Sequence, residues 1–151
     1  MTDESAMARA ATRWAVDRTG DRSYAGRCLA FVEDAIERAN DIEIFGGSTA
    51  HESAERYSPD PYAADVPPPA GSLVFYACEG PSDGAWRDWG HVGIALGDGR
   101  VAHAWDEVRV DEATHVEALS PVPGWTPARL IGWVPLARVL EGHRPHDWVD
   151  G

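Results

Sequence analysis

A run of three prolines, Pro67-Pro68-Pro69, separates two parts of the chain that have different hydrophobic periods. Before it, small and apolar residues recur every three to four positions over residues 4–18 and 27–40, which is the spacing of amphipathic helices. After it, apolar residues run continuously or alternate, as they do in strands. The strand-like segments are residues 71–78, a hairpin at 90–105, and residues 107–111 and 130–134. Helices followed by a series of strands predict an α+β fold with an antiparallel sheet.

The remaining segments are rich in turn-forming residues. We expect an irregular excursion at residues 41–70 with a short helix around residues 50–57, and loops at residues 79–89 and 113–128. Pro135 predicts the start of a short helix. The sequence shows no internal repeat, so we expect residues 1–151 to form a single domain.

The charge balance argues against some partners. The chain has 25 acidic and 13 basic residues, so it lacks the concentrated basic footprint that DNA and RNA binding require. Its N-terminal segment has no basic stretch followed by an apolar one, and no apolar run is long enough to cross a bilayer. We therefore expect a cytoplasmic protein without membrane contact, in which Cys28 and Cys78 are free thiols.

The segment GHVGIALGDGRVAHAW, residues 90–105, predicts two apolar strands joined by a Gly-Asp-Gly turn. On the first strand, His91 shares a face with the small residues Gly93 and Ala95, which we expect to leave open space. The turn places His103 opposite or diagonal to His91, near enough for one imidazole to orient the other. A base held by a further polar group is typical of a site that activates a nucleophile. Two partly solvated histidines at strand ends are the simpler alternative.

Cys28 lies in the first turn of the second predicted helix. The helix macrodipole and the free N–H groups at this position are expected to lower the pKa of the thiol and to stabilise an oxyanion beside it. Cys28 is therefore a candidate nucleophile, and a buried cysteine on an apolar helix face is the alternative. Cys78 has no basic neighbour and is the weaker candidate.

The ordered set of Cys28 at the head of a helix, the strand GSLVF at residues 71–75 and the hairpin at residues 90–105 resembles the NlpC/P60 cysteine peptidases. These are papain-like enzymes that cut amide bonds in bacterial cell-wall peptides, as are the neighbouring CHAP amidases. The resemblance covers roughly residues 22–110. It implies a papain-like fold with N-terminal helices packed on an antiparallel sheet and a catalytic core of about residues 22–140.

The resemblance also implies a role for each site residue. Cys28 would be the nucleophile, His91 the base, and His103, twelve positions later, the residue that orients the base. No cofactor is implied. A zinc site formed by His91, His103 and Asp106 is disfavoured, because no CxxC or HExxH spacing supports it.

The residues around the nucleophile depart from the family pattern. NlpC/P60 enzymes usually read Asp-Cys-Ser-Gly there, and the Asp and Ser help to bind the free amine of the substrate's first residue. This chain reads Arg27-Cys28-Leu29-Ala30, so that pair is absent, whereas Tyr24 and the glycine before the cysteine are similar to the CHAP pattern. The identity of the substrate is therefore open.

The activity implied by the resemblance is hydrolysis of an amide bond through a thioester, in a cell-wall muropeptide or a related γ-D-glutamyl or N-acyl amide. Cell-wall peptides lie outside the cytoplasm, so export by a non-Sec route, phage-type release, a larger assembly or a recycled cytosolic substrate would reconcile location and activity. Two alternatives stay open. One is a non-catalytic binding or scaffold module on the same fold, and the other is an acyltransferase that passes the thioester to an amine.

Aromatic residues near the candidate site could contact the substrate. Trp86 and Trp89 precede His91, and Trp105 follows His103 by two positions on the same face. Tyr24 is a candidate contact for the substrate or the oxyanion. Simple packing is the alternative for all four residues, because tyrosine and tryptophan are common packing residues.

Overall fold

The change from helices to strands is present in the structure, a computed structural model that describes residues 3–148. Helices α1 to α4 are Glu4–Val16, Cys28–Asn40, Ala50–Tyr57 and Leu136–Val139. Strands β1 to β9 are Ile42–Glu43, Leu73–Ala77, Glu79–Ser82, Ala85–Asp88, His91–Ala95, Arg100–Ala104, Val108–Glu112, Arg129–Val134 and Arg144–Pro145. A 3-10 helix, His115–Ala118, lies between β7 and β8.

Five strands form the central sheet in the order β7-β6-β5-β2-β8. Every neighbouring pair is antiparallel, and β5, β6 and β7 follow one another directly as a meander. Every residue of β2 and β5 is buried, so these strands are covered on both faces. The prediction of an α+β fold with an antiparallel sheet is confirmed.

The two faces of the sheet border different apolar clusters. On one face, Phe75, Val92 and Ile94 pack with residues of α1 and α2. On the other face, Tyr76 and Val101 pack with residues from the segment between β7 and β8. The face of β5 that carries His91 borders this second cluster, so apolar side chains surround the histidine.

Helix α2 is fixed by an apolar face that is fully buried. Phe31, Val32, Ala35 and Ile36 recur at helical spacing and are 0% exposed. Burial of a side chain such as Phe31 stabilises the fold by about 2–3 kcal/mol. This packing holds the N-terminal end of α2, where Cys28 lies, against the sheet.

The N-terminal helix is shorter than its pattern predicts and ends at Val16. Asp3 caps it by accepting a hydrogen bond from the backbone N–H of Ser5 at 3.0 Å. The segment Thr2-Asp3-Glu4 predicts a cap at this end from the sequence, and Thr2 lies outside the described residues. No helix within residues 3–148 has the length and apolarity that crossing a membrane requires.

The prediction of a loop at residues 79–89 is wrong, because β3 and β4 form a hairpin there. Its two-residue turn is Asp83-Gly84, and both residues have positive φ, 52° and 75°. An Asp-Gly pair with this geometry is a strong hairpin signal. The segment is also rich in small polar residues, which favour a loop, and this composition led to the wrong prediction. The pairing of β1 with β9 is also absent from the prediction, because two-residue strands about a hundred positions apart leave no local pattern.

The buried hydroxyl of Tyr76 donates a 2.7 Å hydrogen bond to the carbonyl oxygen of Ala113, tying β2 to the segment after β7. Tyr76→Phe is expected to lower the free energy of unfolding by about 1–3 kcal/mol, because the carbonyl would stay buried without its partner. Urea denaturation measures the change. Tyr62→Phe is the matched control, since the Tyr62 hydroxyl has no hydrogen-bond partner among the described residues. Equal effects of the two variants would contradict the prediction.

Candidate active site

A cleft of about 1050 Å³ opens where the N-terminal end of α2 meets the start of β5. Cys28 and His91 both line it, and so do Trp89 and Trp105. The structure therefore brings four of the residues predicted from the sequence to one cavity. Both cysteines are free, and Cys78 also lines this cleft.

The position of Cys28 follows from the turn before α2. Gly26 adopts a φ of +75°, and the N–H of Arg27 donates to the carbonyl oxygen of Tyr24 at 2.8 Å. No side chain caps the helix that begins at Cys28. The N–H groups of its first turn therefore stay available near the thiol.

The expectation of a lowered thiol pKa is wrong. Cys28 as a whole residue is partly exposed to the cleft, yet burial of its sulfur raises the pKa to about 11. Backbone N–H groups of Val92 and Leu29 face the sulfur and oppose this shift without overcoming it. Loss of solvation thus has a larger effect on the thiol pKa than the helix N-terminus has.

Gly90 determines where β5 begins. Its φ is +76°, and an added Cβ would lie 2.6 Å from the backbone nitrogen of His51 in α3. Only glycine fits this close approach in a left-handed conformation. His91 therefore enters the sheet directly beside α3 and pairs with Tyr76 of β2.

The two predicted histidines contact each other inside the protein. Nε2 of His91 lies 2.8 Å from Nδ1 of His103, and the two residues are 4% and 0% exposed, respectively. The register of β5 and β6 makes the pair diagonal, because His103 lies beside Gly93. The contact predicted between the imidazoles is present.

Gly93 and Ala95 do not leave the expected open space. Both are buried, and an added Cβ on Gly93 would lie 3.1 Å from Cβ of His103. The second apolar cluster covers this face of the sheet, so the absent side chain gives room to the histidine pair rather than to a ligand.

Burial keeps the imidazoles neutral. It lowers the pKa of His91 well below its usual value, and the neighbouring His103 lowers it further. Trp105 packs edge-on against His91 with ring centroids 4.9 Å apart, and Tyr76 packs at 5.7 Å. These rings displace water from the imidazole of His91.

Two of the predicted substrate contacts lie outside the cleft. The hydroxyl of Tyr24 donates to Oδ2 of Asp34 at 2.6 Å, and the ring packs against Phe31 in the helical layer. Trp86 lies on the β3–β4 hairpin, 57% exposed. The hairpin geometry, which the sequence analysis missed, turns Trp86 away from the cleft that Trp89 lines.

The polar chain continues to a residue that the sequence analysis missed. Nε2 of His103 lies 2.8 Å from Oδ2 of Asp111 on β7, and Arg109 donates to the same carboxylate at 2.7 Å. The signal was present: the strand at residues 107–111 alternates, so Arg109 and Asp111 share one face. What the sequence does not show is that β6 pairs His103 with Arg109.

The described residues contain no group of three or more histidine, cysteine, aspartate and glutamate side chains arranged to hold a metal ion. Asp106 lines the cleft but makes its ion pair with Arg109, at 3.7 Å.

Glu33 is a further cleft residue without a predicted role. It has no hydrogen bond or ion pair among the described residues, and burial, followed by the charges of Glu37 and Asp34, raises its pKa to about 7. A folded-state pKa above the unfolded value contributes stability at low pH that is lost as the pH rises through 7.

Glu33→Gln is therefore expected to raise the free energy of unfolding more at pH 8 than at pH 5. Urea denaturation of the wild type and the variant at both pH values measures the difference. Glu141→Gln, at an exposed position just after α4, is the control. The same change at both pH values would show that the Glu33 carboxyl titrates normally.

No protein-family model matches the sequence, and a search of curated proteins finds no match. Solved structures do match. A protein similar to a lipoprotein of the NLP/P60 family from Staphylococcus aureus has a TM-score of 0.58 at 16% identity, over 90% of this chain and 42% of that chain. This chain thus spans less than half of the length of that protein.

A second match is RipD from Mycobacterium tuberculosis, described as a non-catalytic NlpC/p60 domain protein adapted to peptidoglycan binding. It has a TM-score of 0.47 at 14% identity, over 83% of this chain and 96% of that chain. The likeness to the staphylococcal protein concerns the fold, and the chain has the α+β papain-like fold of NlpC/P60 proteins, as the sequence predicts.

Proposed function

We propose that the protein is a cysteine-dependent amide hydrolase in which Cys28, His91 and His103 act together. The observation that carries the proposal is the buried 2.8 Å contact between His91 and His103, with Cys28 and His91 in the same cleft. His91 lies buried at the wall of the cleft and His103 lies buried behind it, so both imidazoles lose solvation, which a purely structural hairpin would avoid. The spacing of the three residues is the one that the resemblance implies.

The proposed reaction begins with proton transfer. Nδ1 of His91 takes the proton of Cys28 as the sulfur attacks the amide carbonyl carbon, and N–H groups at the start of α2 hold the developing oxyanion. His91 then gives this proton to the leaving amine as the C–N bond breaks. Water attacks the thioester, His91 takes its proton, and the acid product leaves as the proton returns to sulfur.

The resting pair is a thiol and a neutral imidazole. Burial raises the pKa of Cys28 to about 11 and lowers that of His91, and both shifts disfavour a thiolate–imidazolium pair. In this proposal the proton moves during attack on the carbonyl, when negative charge passes from sulfur to the oxyanion.

The proposed substrate is a cell-wall muropeptide or a related γ-D-glutamyl or N-acyl amide. The cleft is large enough for several residues of a peptide and is lined by Trp89 and Trp105. We propose a single domain that works without a metal, in the cytoplasm or after export by a non-Sec route. The CHAP-like pattern around Tyr24 remains a prediction from the sequence.

Incubation of the protein with muropeptides and with small γ-glutamyl and N-acyl amides, followed by mass spectrometry, tests the activity. Cys28→Ala is expected to abolish product formation, and His91→Ala to lower kcat by about 10²- to 10⁴-fold, because the general base is lost. His143→Ala, at a histidine outside the cleft lining, is the matched control and is expected to release the products. Products formed equally by Cys28→Ala would contradict the mechanism.

The same incubations separate hydrolysis from acyl transfer. With added glycine amide, a hydrolase gives the free acid, whereas an acyltransferase gives the glycine adduct at the same bond.

Arg27 is expected to set substrate preference. It is exposed, lines the cleft next to Cys28, and stands where NlpC/P60 enzymes usually have the aspartate that binds a free amine. A peptide with an N-acetylated first residue is therefore expected to react at least as well as its free-amine form, because Arg27 repels the ammonium group. Arg27→Asp with Leu29→Ser should shift kcat/KM toward the free amine by about tenfold, or 1.4 kcal/mol. A wild-type preference for the free amine would contradict this role.

A non-catalytic binding module on the same fold is the second candidate function. The raised pKa of the Cys28 thiol favours it, since such a thiol is a poor nucleophile at neutral pH. Saturable binding of muropeptides to wild type and Cys28→Ala, with no product from either, would support the module over the enzyme.

A further inference from the structure

The buried polar chain does not stop at His103. Asp111 lies behind it on β7, with its side chain 10% exposed and Oδ2 2.8 Å from Nε2 of His103. We infer that Asp111 is a positioning residue whose carboxylate fixes the tautomers of His103 and His91, leaving the lone pair of His91 on Nδ1. The effect on turnover rests on the proposed function, whereas the tautomers exist in the protein with or without turnover.

Asp111 acts as an acceptor because it is ionised. Arg109 donates to both carboxylate oxygens, from Nε to Oδ2 at 2.7 Å and from Nη2 to Oδ1 at 3.2 Å. Partial burial opposes ionisation, but the hydrogen bonds from Arg109 and His103 together hold the pKa of Asp111 below its usual value. An ionised carboxylate has no proton to donate, so Nε2 of His103 must carry the hydrogen.

The hydrogen on Nε2 also determines the protonation of the other ring nitrogen of His103, Nδ1. Burial lowers the pKa of His103, although Asp111 opposes this shift, so the ring is neutral and has one N–H. That N–H points to Asp111, and Nδ1 can only accept. Nδ1 of His103 is the atom 2.8 Å from Nε2 of His91.

His91 must therefore donate from Nε2, and a neutral His91 then has its lone pair on Nδ1. This is the nitrogen that takes the Cys28 proton in the proposed reaction. Without the carboxylate, His103 is free to carry its hydrogen on Nδ1 and donate to His91. His91 would then hold its own hydrogen on Nδ1 and could not accept the thiol proton.

The sheet supplies this chain of contacts through its register. β6 pairs His103 with Arg109, which places Asp111, two positions further, on the same face and diagonal to His103. The backbone pairing of β6 with β7 therefore holds Asp111 within hydrogen-bond distance of His103.

The first experiment reads the tautomers directly in the resting wild-type protein. Long-range ¹H–¹⁵N correlation spectra of uniformly labelled protein at pH 8 distinguish protonated from unprotonated ring nitrogens. His91→Asn and His103→Asn spectra assign the two rings. We expect Nε2–H on both rings and an unprotonated Nδ1 on both. A hydrogen on Nδ1 of His103 would overturn the inference, whatever the activity of the protein.

The second experiment removes the fixed acceptor. Asp111→Asn presents either an oxygen or an NH₂ group to His103, so the spectra should show Nδ1–H forms of His103 and His91. Glu112→Gln, exposed on the same strand, is the matched control and should leave the spectra as in the wild type.

On a substrate that the wild type hydrolyses, Asp111→Asn should lower kcat by about 10- to 100-fold with KM within about twofold of the wild type. The effect is smaller than the roughly 10⁴-fold loss caused by the corresponding change in a serine-protease triad, where the carboxylate touches the base itself. Unchanged tautomers and kcat in a folded Asp111→Asn would overturn the role of Asp111. Expected tautomers in a wild type that hydrolyses nothing would support the positioning of His91 while contradicting the hydrolase.

Discussion

The hydrogen bond between His91 and His103 is the interaction on which the candidate site depends. Both rings lie within a sheet that is covered on both faces, so neither can exchange its partner for water. An unpaired buried nitrogen would cost about 1–3 kcal/mol, and this cost makes the register of β5 against β6 a requirement. Gly93 and Asp111 also help to keep the pair satisfied. Gly93 leaves space for the ring of His103, and the carboxylate of Asp111 accepts the N–H of His103 that does not face His91.

Burial has opposite effects on the two halves of the site. For the histidines, it favours neutral rings and therefore defined donors and acceptors along the chain from Asp111 to His91. For Cys28, it raises the thiol pKa to about 11 and leaves the sulfur protonated at neutral pH. The cleft is therefore lined by a neutral imidazole and a protonated thiol, and in the proposed reaction the proton leaves sulfur only as sulfur attacks the carbonyl group.

The charges around the cleft are mixed, although the chain as a whole is acidic. Arg27 and Arg109 line the cleft together with Glu33 and Asp106. Arg109 is engaged with carboxylates, whereas Arg27 is exposed beside Cys28. The two arginines and the two acidic residues balance each other, so the lining of the cleft does not share the net charge of −12. The proposed preference for an acylated ligand group rests on Arg27 alone.

Local sequence patterns are enough to predict the order of helices and strands, the antiparallel hairpin and the contact of His91 with His103. These follow from periods of 3.6 and 2 residues and from a short turn, all of which are local. Tertiary packing sets the burial of Cys28, the covering of the Gly93 face, the outward position of Trp86 and the contact of His103 with Asp111. Each depends on which segments pack together across the sheet. At Cys28, loss of solvation raises the thiol pKa, whereas the helix N-terminus alone predicts a lowered one.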